Sequence, residues 1–198
     1  MLLDKSYEVV FIIFVSVSVL TGLQSLSVKD SLNRIKLQLS TVVTCIAAFH
    51  YNLMTQRPEN LVIYRYFDWF FTTPLLLIDF ALTVGIKDFN TITKLVAYNT
   101  AMLTTGILGE FNVITRTNGC LFGFAPLILL FNIIYKNMNK TKENLKLFKV
   151  FVSVWSMYGI IYLINNEDTR NLSYNILDII SKGMFGMYIY YSSIELNE

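Results

Sequence analysis

Seven stretches of about twenty mostly apolar residues, the length that crosses a bilayer core, fill nearly the whole chain. They run over residues 7–27, 34–54, 61–83, 91–111, 119–136, 145–165 and 172–193. Short polar turns separate them, among them Lys29-Asp30-Ser31, Lys87-Asp88-Phe89-Asn90 and Thr115-Arg116-Thr117-Asn118. Turns this short make neighbouring helices antiparallel. The expected fold is therefore an all-α membrane protein, a seven-transmembrane-helix bundle forming one domain over residues 1–198, integral and multi-pass. Charged residues make up 15% of the chain, where a soluble domain carries about 25%. The net charge of +2 argues against nucleic acid as a partner. The run from Val9 to Leu20 follows an acidic segment, so it reads as a retained helix rather than a cleaved leader.

Basic residues give an orientation. Ten follow the odd-numbered helices: Lys29, Arg34, Lys36, Lys87, Lys94, Lys136, Lys140, Lys142, Lys146 and Lys149. Four lie on the other side: Lys5, Arg57, Arg116 and Arg170. The expectation is an outside N-terminus and a cytoplasmic C-terminus. Cys45 and Cys120 sit in apolar runs without metal-ligand spacing, and no metal is expected.

Charges inside such spans are costly and mark functional sites by default. The third span holds Arg65, Asp68 and Asp79, and the seventh holds Asp178 and Lys182. Arg65, Asp68, Thr72 and Asp79 stand at i, i+3, i+7 and i+14, one face of a helix. Asp68 and Asp79 are then about 16 Å apart along the axis. Asp178 and Lys182, at i and i+4, also share a face. Lys182, Arg65, Asp68 and Asp178 sum to zero charge. Asp79 stands alone in an apolar run and is expected to be neutral at rest, because desolvation disfavours the charged form. On the residues alone two readings stand. One is a structural ion network, with Asp79 in an interhelical hydrogen bond. The other is a nucleophilic lysine for an aldehyde, with fixed counterions for the cation it forms.

The run Arg65-Tyr66-Phe67-Asp68-Trp69-Phe70-Phe71-Thr72-Thr73-Pro74-Leu75-Leu76-Leu77-Ile78-Asp79 resembles the third helix of bacteriorhodopsin-type microbial rhodopsins. Asp178 to Gly186 resembles their seventh helix, with its retinal lysine four residues after an aspartate. Trp155 to Tyr162 resembles the sixth-helix retinal wall, and Ala47-Ala48-Phe49-His50-Tyr51 resembles part of the second helix. Asn99, Met102 and Gly106 fall at fourth-helix pocket spacing. The compact chain, rich in Lys, Asn and Ile, is similar to the viral and protist branch.

The resemblance implies all-trans retinal as a covalent Schiff base at Lys182. It makes Asp68 the primary counterion and proton acceptor, and Asp178 a second counterion held by Tyr51 and Tyr158. It makes Arg65 an outer gate and Asp79 the inner proton donor. Thr72 is expected to hydrogen-bond Asp68, and Ser40 to hydrogen-bond Asp79. Tyr66, Trp69, Thr73, Leu76, Met102, Gly106, Trp155, Tyr158 and Tyr162 are expected to line the chromophore. The implied partners are the lipid bilayer, protons and further copies of the chain, as a trimer or pentamer.

The sequence departs from that pattern at several positions. Gly159 stands where a proline kinks the sixth helix, and Tyr162 replaces a tryptophan. Arg170, twelve residues before Lys182, occupies the place of a proton-release glutamate. His50 reads as a hydrogen-bonded packing residue. The Asp68, Thr72, Asp79 pattern is the one outward proton pumps share, so a light-driven outward proton pump is expected rather than an enzyme. A light-gated cation channel is the alternative, although the second span carries none of the glutamates that line such channels. A sensor is a weaker alternative, since no transducer domain follows in the sequence.

Overall fold

The computed structural model describes residues 2–195. Among these there are seven helices and no strand: α1 (Leu2–Ser27), α2 (Ser31–Gln56), α3 (Leu61–Thr83), α4 (Phe89–Glu110), α5 (Arg116–Asn137), α6 (Lys142–Tyr162) and α7 (residues 167–195). The seventh is α-helical over Glu167–Asp178, π-helical over Ile179–Met184 and α-helical again over Phe185–Glu195.

The polar turns work as helix starts. Asp30, Asp88, Thr115 and Thr141 each accept a hydrogen bond from the backbone N–H three residues on, satisfying a donor the helix leaves open. At Asp88 the Thr91 hydroxyl donates as well, at 2.7 Å. These bonds hold the exposed Asp88 carboxyl below its usual range. Helix α3 ends at Gly85, whose φ of +90° suits a residue without Cβ. The Ile86 amide then closes onto the Ala81 carbonyl at 2.8 Å, a Schellman-type stop.

Apolar surface alone identifies fewer spans than expected. Among the described residues, Leu3–Ser27, Pro58–Thr83, Arg116–Asn137 and Lys142–Tyr162 are long and apolar enough to cross a membrane. The other three helices are diluted by interior polar residues, such as Lys36 in α2, Asn99 in α4 and Asn175, Asp178 and Lys182 in α7. Many large apolar side chains face outward, including Ile12, Leu23, Phe49, Phe71, Leu121 and Ile160, as lipid-facing positions do.

The chain groups into two compact units. The first holds the residues up to Asp79 and those from Asn175 on, and the second holds Phe80–Tyr174. In the first unit α1 packs on α2 through Tyr7, Val10, Phe14, Ala47, Ala48, Tyr51 and Met54. In the second, α4 and α5 approach closely at glycine. A Cβ on Gly119 would stand 2.9 Å from the Thr105 carbonyl oxygen, so only glycine allows that spacing. The same unit is tied at the α3–α4 turn, where the Asn139 amide donates to the Val84 carbonyl at 2.9 Å.

Candidate functional site

The charges expected to act together meet within the first unit. Lys182 is 2% exposed, and Asp68 and Asp178 are fully buried. The Lys182 ammonium pairs with Asp68 and lies 3.2 Å from Asp178 Oδ2. Arg65 Nη1 stands 4.0 Å from the same Asp178 oxygen. Two cations and two carboxylates thus balance in a buried interior, where an uncompensated charge costs several kcal/mol. Asp178 is held further by the Tyr51 hydroxyl at 2.9 Å and the Trp69 indole N–H at 3.3 Å. The Arg65 guanidinium lies 5.9 Å from the ring centres of both Tyr51 and Trp69, a favourable cation–π placement.

Lys182 sits in the middle of the π-helical stretch. Such wide turns disturb the regular backbone ladder and recur at functional sites. The second oxygen of Asp68, Oδ1, is buried without a hydrogen-bond partner. Thr72 hydrogen-bonds Asp68, as expected, but at the backbone rather than at this oxygen. Its hydroxyl donates to the Asp68 backbone carbonyl at 2.8 Å, the local bond a helical threonine makes most readily. Thr73 bonds the Trp69 carbonyl in the same way. Tyr66 meets Trp69 edge-on, with ring centres 5.3 Å apart, and Leu76 is buried on the same helix.

Asp79 is fully buried at the C-terminal end of the charged face of α3. The Ser40 hydroxyl donates to its Oδ2 at 2.6 Å, as expected, while Oδ1 has no partner. His50 Nδ1 donates to the Ile46 carbonyl at 2.9 Å and its ring meets Phe49 edge-on, which fits its reading as a packing residue.

The expected pocket residues beyond α3 lie in the second unit. Trp155 packs on Phe151, which stacks on Phe80 with ring centres 4.1 Å apart. Tyr158 stacks on Tyr174 at 6.0 Å. Asn99 is fully buried and Met102 is half-buried on α4. Tyr162 donates to the Gly106 carbonyl at 2.8 Å, bringing two expected pocket residues together. Gly159, standing where a proline was anticipated, gives its space to the Phe124 ring, which would lie 2.5 Å from an added Cβ.

One cluster escaped the sequence reading. Glu110 ends α4, its side chain 7% exposed, and pairs with Arg116 at 3.1 Å and Arg170 at 3.8 Å. Arg170, 4% exposed at its side chain, also donates to the Ile164 carbonyl at 2.9 Å. The signal was present, since Glu110 falls inside the stretch read as the fourth span, next to its end. Replacing Glu110 with Gln should cost about 3 kcal/mol, because Arg170 stays buried beside a neutral partner. The midpoint of thermal unfolding would show it. A melting curve unchanged from wild type would mean that Glu167 and the Ile164 carbonyl suffice for Arg170.

Comparison with known proteins places this geometry. The family model described as "Bacteriorhodopsin-like protein" matches residues 4–196. The chain belongs to the bacteriorhodopsin-like family of microbial rhodopsins. It is 30% identical to the bacteriorhodopsin of Halobacterium salinarum over 143 residues, which are 63% of this chain and 54% of that protein. The chain spans just over half the length of the curated relatives it matches first. Among solved structures it is similar to the viral rhodopsin OLPVRII, with 27% identity, a TM-score of 0.94 and 99% of each chain covered. It is also similar to the rhodopsin of Exiguobacterium sibiricum, with 26% identity, a TM-score of 0.84 and 98% and 96% of the two chains covered.

Membership makes the chain an integral membrane protein with the seven-helix rhodopsin fold. It implies a retinal chromophore held as a Schiff base on a lysine, in a surround of membrane lipids. The residues of the rhodopsin fit that group. A buried lysine faces two buried carboxylates, and one of their oxygens, Asp68 Oδ1, has no bond to give up.

Proposed function

We propose that this rhodopsin is a light-driven outward proton pump carrying all-trans retinal on Lys182. The observation that carries the reading is the layout of α3. Asp68 pairs with Lys182, and eleven residues further on Asp79 is buried with Ser40, among the described residues, bonded to it. Retinal, when bound, supplies a light-driven change of shape and charge position at the Lys182 nitrogen. The remaining work belongs to the chain. Asp68, the nearest base, takes the proton from the Lys182 nitrogen. Asp178, fixed by Tyr51 and Trp69, keeps a negative charge beside that nitrogen throughout. Arg65 compensates the paired carboxylates. Asp79, fully buried, returns a proton to the Lys182 nitrogen from the other end of α3 and refills from the cytoplasm.

The excess of lysine on the odd-numbered turns supports an outside N-terminus and a cytoplasmic C-terminus, which makes this transport outward. The activity is transport, not enzymatic turnover. Homo-oligomers, trimers or pentamers, are the assembly we propose from the resemblance. Light-induced pH change in a suspension of retinal-fed cells tests the direction. Acidification of the medium that a protonophore abolishes is expected. No acidification, with currents that follow the applied voltage under patch clamp, would overturn the pump and make the rhodopsin a cation channel.

A further inference from the structure

One polar residue outside the expected set is joined directly to the counterions. Asn175 is 1% exposed on α7, three residues before Asp178 and seven before Lys182, on the same helix face. Its Oδ1 accepts from Arg65 Nη2 at 2.9 Å and from the Tyr51 hydroxyl at 3.2 Å. Its Nδ2 donates to Ser6 Oγ at 2.7 Å, and the Ser6 hydroxyl donates to the Leu3 carbonyl at 2.5 Å. Arg65 Nη1 also donates to the Tyr51 hydroxyl at 3.3 Å. The result is a continuous polar chain within the first unit. It leads from the counterions through Arg65 and Asn175 to half-buried Ser6 at the start of α1.

The chemistry explains the residue. The site offers two donors on one side, from Arg65 and Tyr51, and a hydroxyl acceptor on the other, from Ser6. A carboxamide meets both demands without adding charge. Arg65 does not lose its proton in a protein, so it acts only through where its charge sits. In a medium of low effective dielectric, small displacements of that charge change the energy of Asp68 and Asp178 strongly. What fixes Arg65 therefore sets the balance of the pair.

We propose that Asn175 is a positioning residue. It pins the Arg65 guanidinium and the Tyr51 hydroxyl beside Asp178, and through Ser6 it forms the outer gate past which a proton leaves Asp68. The gate rests on the pump reading; the pinning does not. The charged and titratable groups around the amide are Arg65 on α3, Tyr51 on α2 with Tyr7 of α1 against its ring at 6.1 Å, and Asp178 on its own helix. No release carboxylate is needed on this route.

Two variants of the full-length protein, regenerated with retinal, test the proposal. Asn175→Leu keeps the size and removes all three bonds; Ser6→Ala removes only the outer link at a half-buried position. The first readout is the dark titration of the visible band, whose colour reports the charge on Asp68. The midpoint in Asn175→Leu is expected to move by about one pH unit, a tenfold change in the protonation equilibrium. Ser6→Ala should move it less, in the same direction. After a flash, the delay between deprotonation of the Lys182 nitrogen and proton appearance outside should change about tenfold in Asn175→Leu, a shift of about 1.4 kcal/mol in the barrier. Return of the proton from Asp79 should keep its wild-type rate. Asn175→Leu titrating as wild type overturns the pinning, and Ser6→Ala decides it in the same way if Asn175→Leu forms no pigment. A shifted titration with an unchanged release delay overturns the gate. Wild-type protein that fails to acidify the medium would sink the pump, while the dark titration would still decide the role of Asn175.

Discussion

Replacing Lys182 with Ala is expected to abolish the visible absorption band of the protein given retinal. No other primary amine is seen among the buried polar groups of the first unit. An aldehyde therefore has nowhere else to form the bond beside Asp68 and Asp178. The loss should be complete rather than partial, since the nucleophile itself is gone. The variant should also be less stable by about 3–5 kcal/mol, because two buried carboxylates would share only Arg65. Circular dichroism separates the two effects. Helical protein without a band supports the site, whereas a surviving pigment would remove Lys182 from it. An unfolded variant would be replaced by Lys182→Met, which fills the same apolar volume.

The second large effect is expected from Asp79→Asn. The amide keeps an oxygen for the Ser40 hydroxyl and fits the same buried site, so the fold and the colour should persist. It has no proton to give. Return of the proton to the Lys182 nitrogen should slow at least about 100-fold, the lower range for losing a placed acid. It should also become dependent on the medium, slowing as pH rises, because solvent protons are the remaining source. Flash photolysis across a pH series measures this. A wild-type cycle in Asp79→Asn would reduce Asp79 to an interhelical hydrogen bond with Ser40, the structural reading the sequence left open.

Much of the site was legible because charge in an apolar run is rare and helical spacing is simple. Arg65, Asp68 and Asp79 were assigned to one face by counting, and Asp178 and Lys182 to another. Ser40 beside Asp79 and Tyr51 beside Asp178 were also anticipated. Thr72 was placed beside Asp68, but spacing does not say whether its hydroxyl turns to the carboxylate or, as it does, to the backbone carbonyl. Asn175 was passed over although it lies on the lysine face, since an uncharged amide in a helix draws no notice until its partners on three other helices are known. Glu110 was missed for a related reason. Its partners come from α5 and α7, and nothing near it in the chain announces them. The fold was clear from length and polarity together, yet apolar character alone would have found only the four helices least burdened by polar residues.

The bond between Lys182 and Asp68 joins residues 114 apart in the chain. During synthesis, Asp68 and Arg65 reach the membrane well before the lysine exists. At roughly 5–20 residues per second the wait is about 6–23 s. In that interval α3 carries two charges with no lysine to balance the carboxylate, one helical turn apart, so that Arg65 and Asp68 can shield each other. The same pair that later divides its attention between two helices thus gives the nascent helix a neutral face while the membrane accepts it. A segment with Asp68 but without Arg65 would enter the bilayer as a bare acid, which gives the arginine a part in biogenesis as well as beside the counterions.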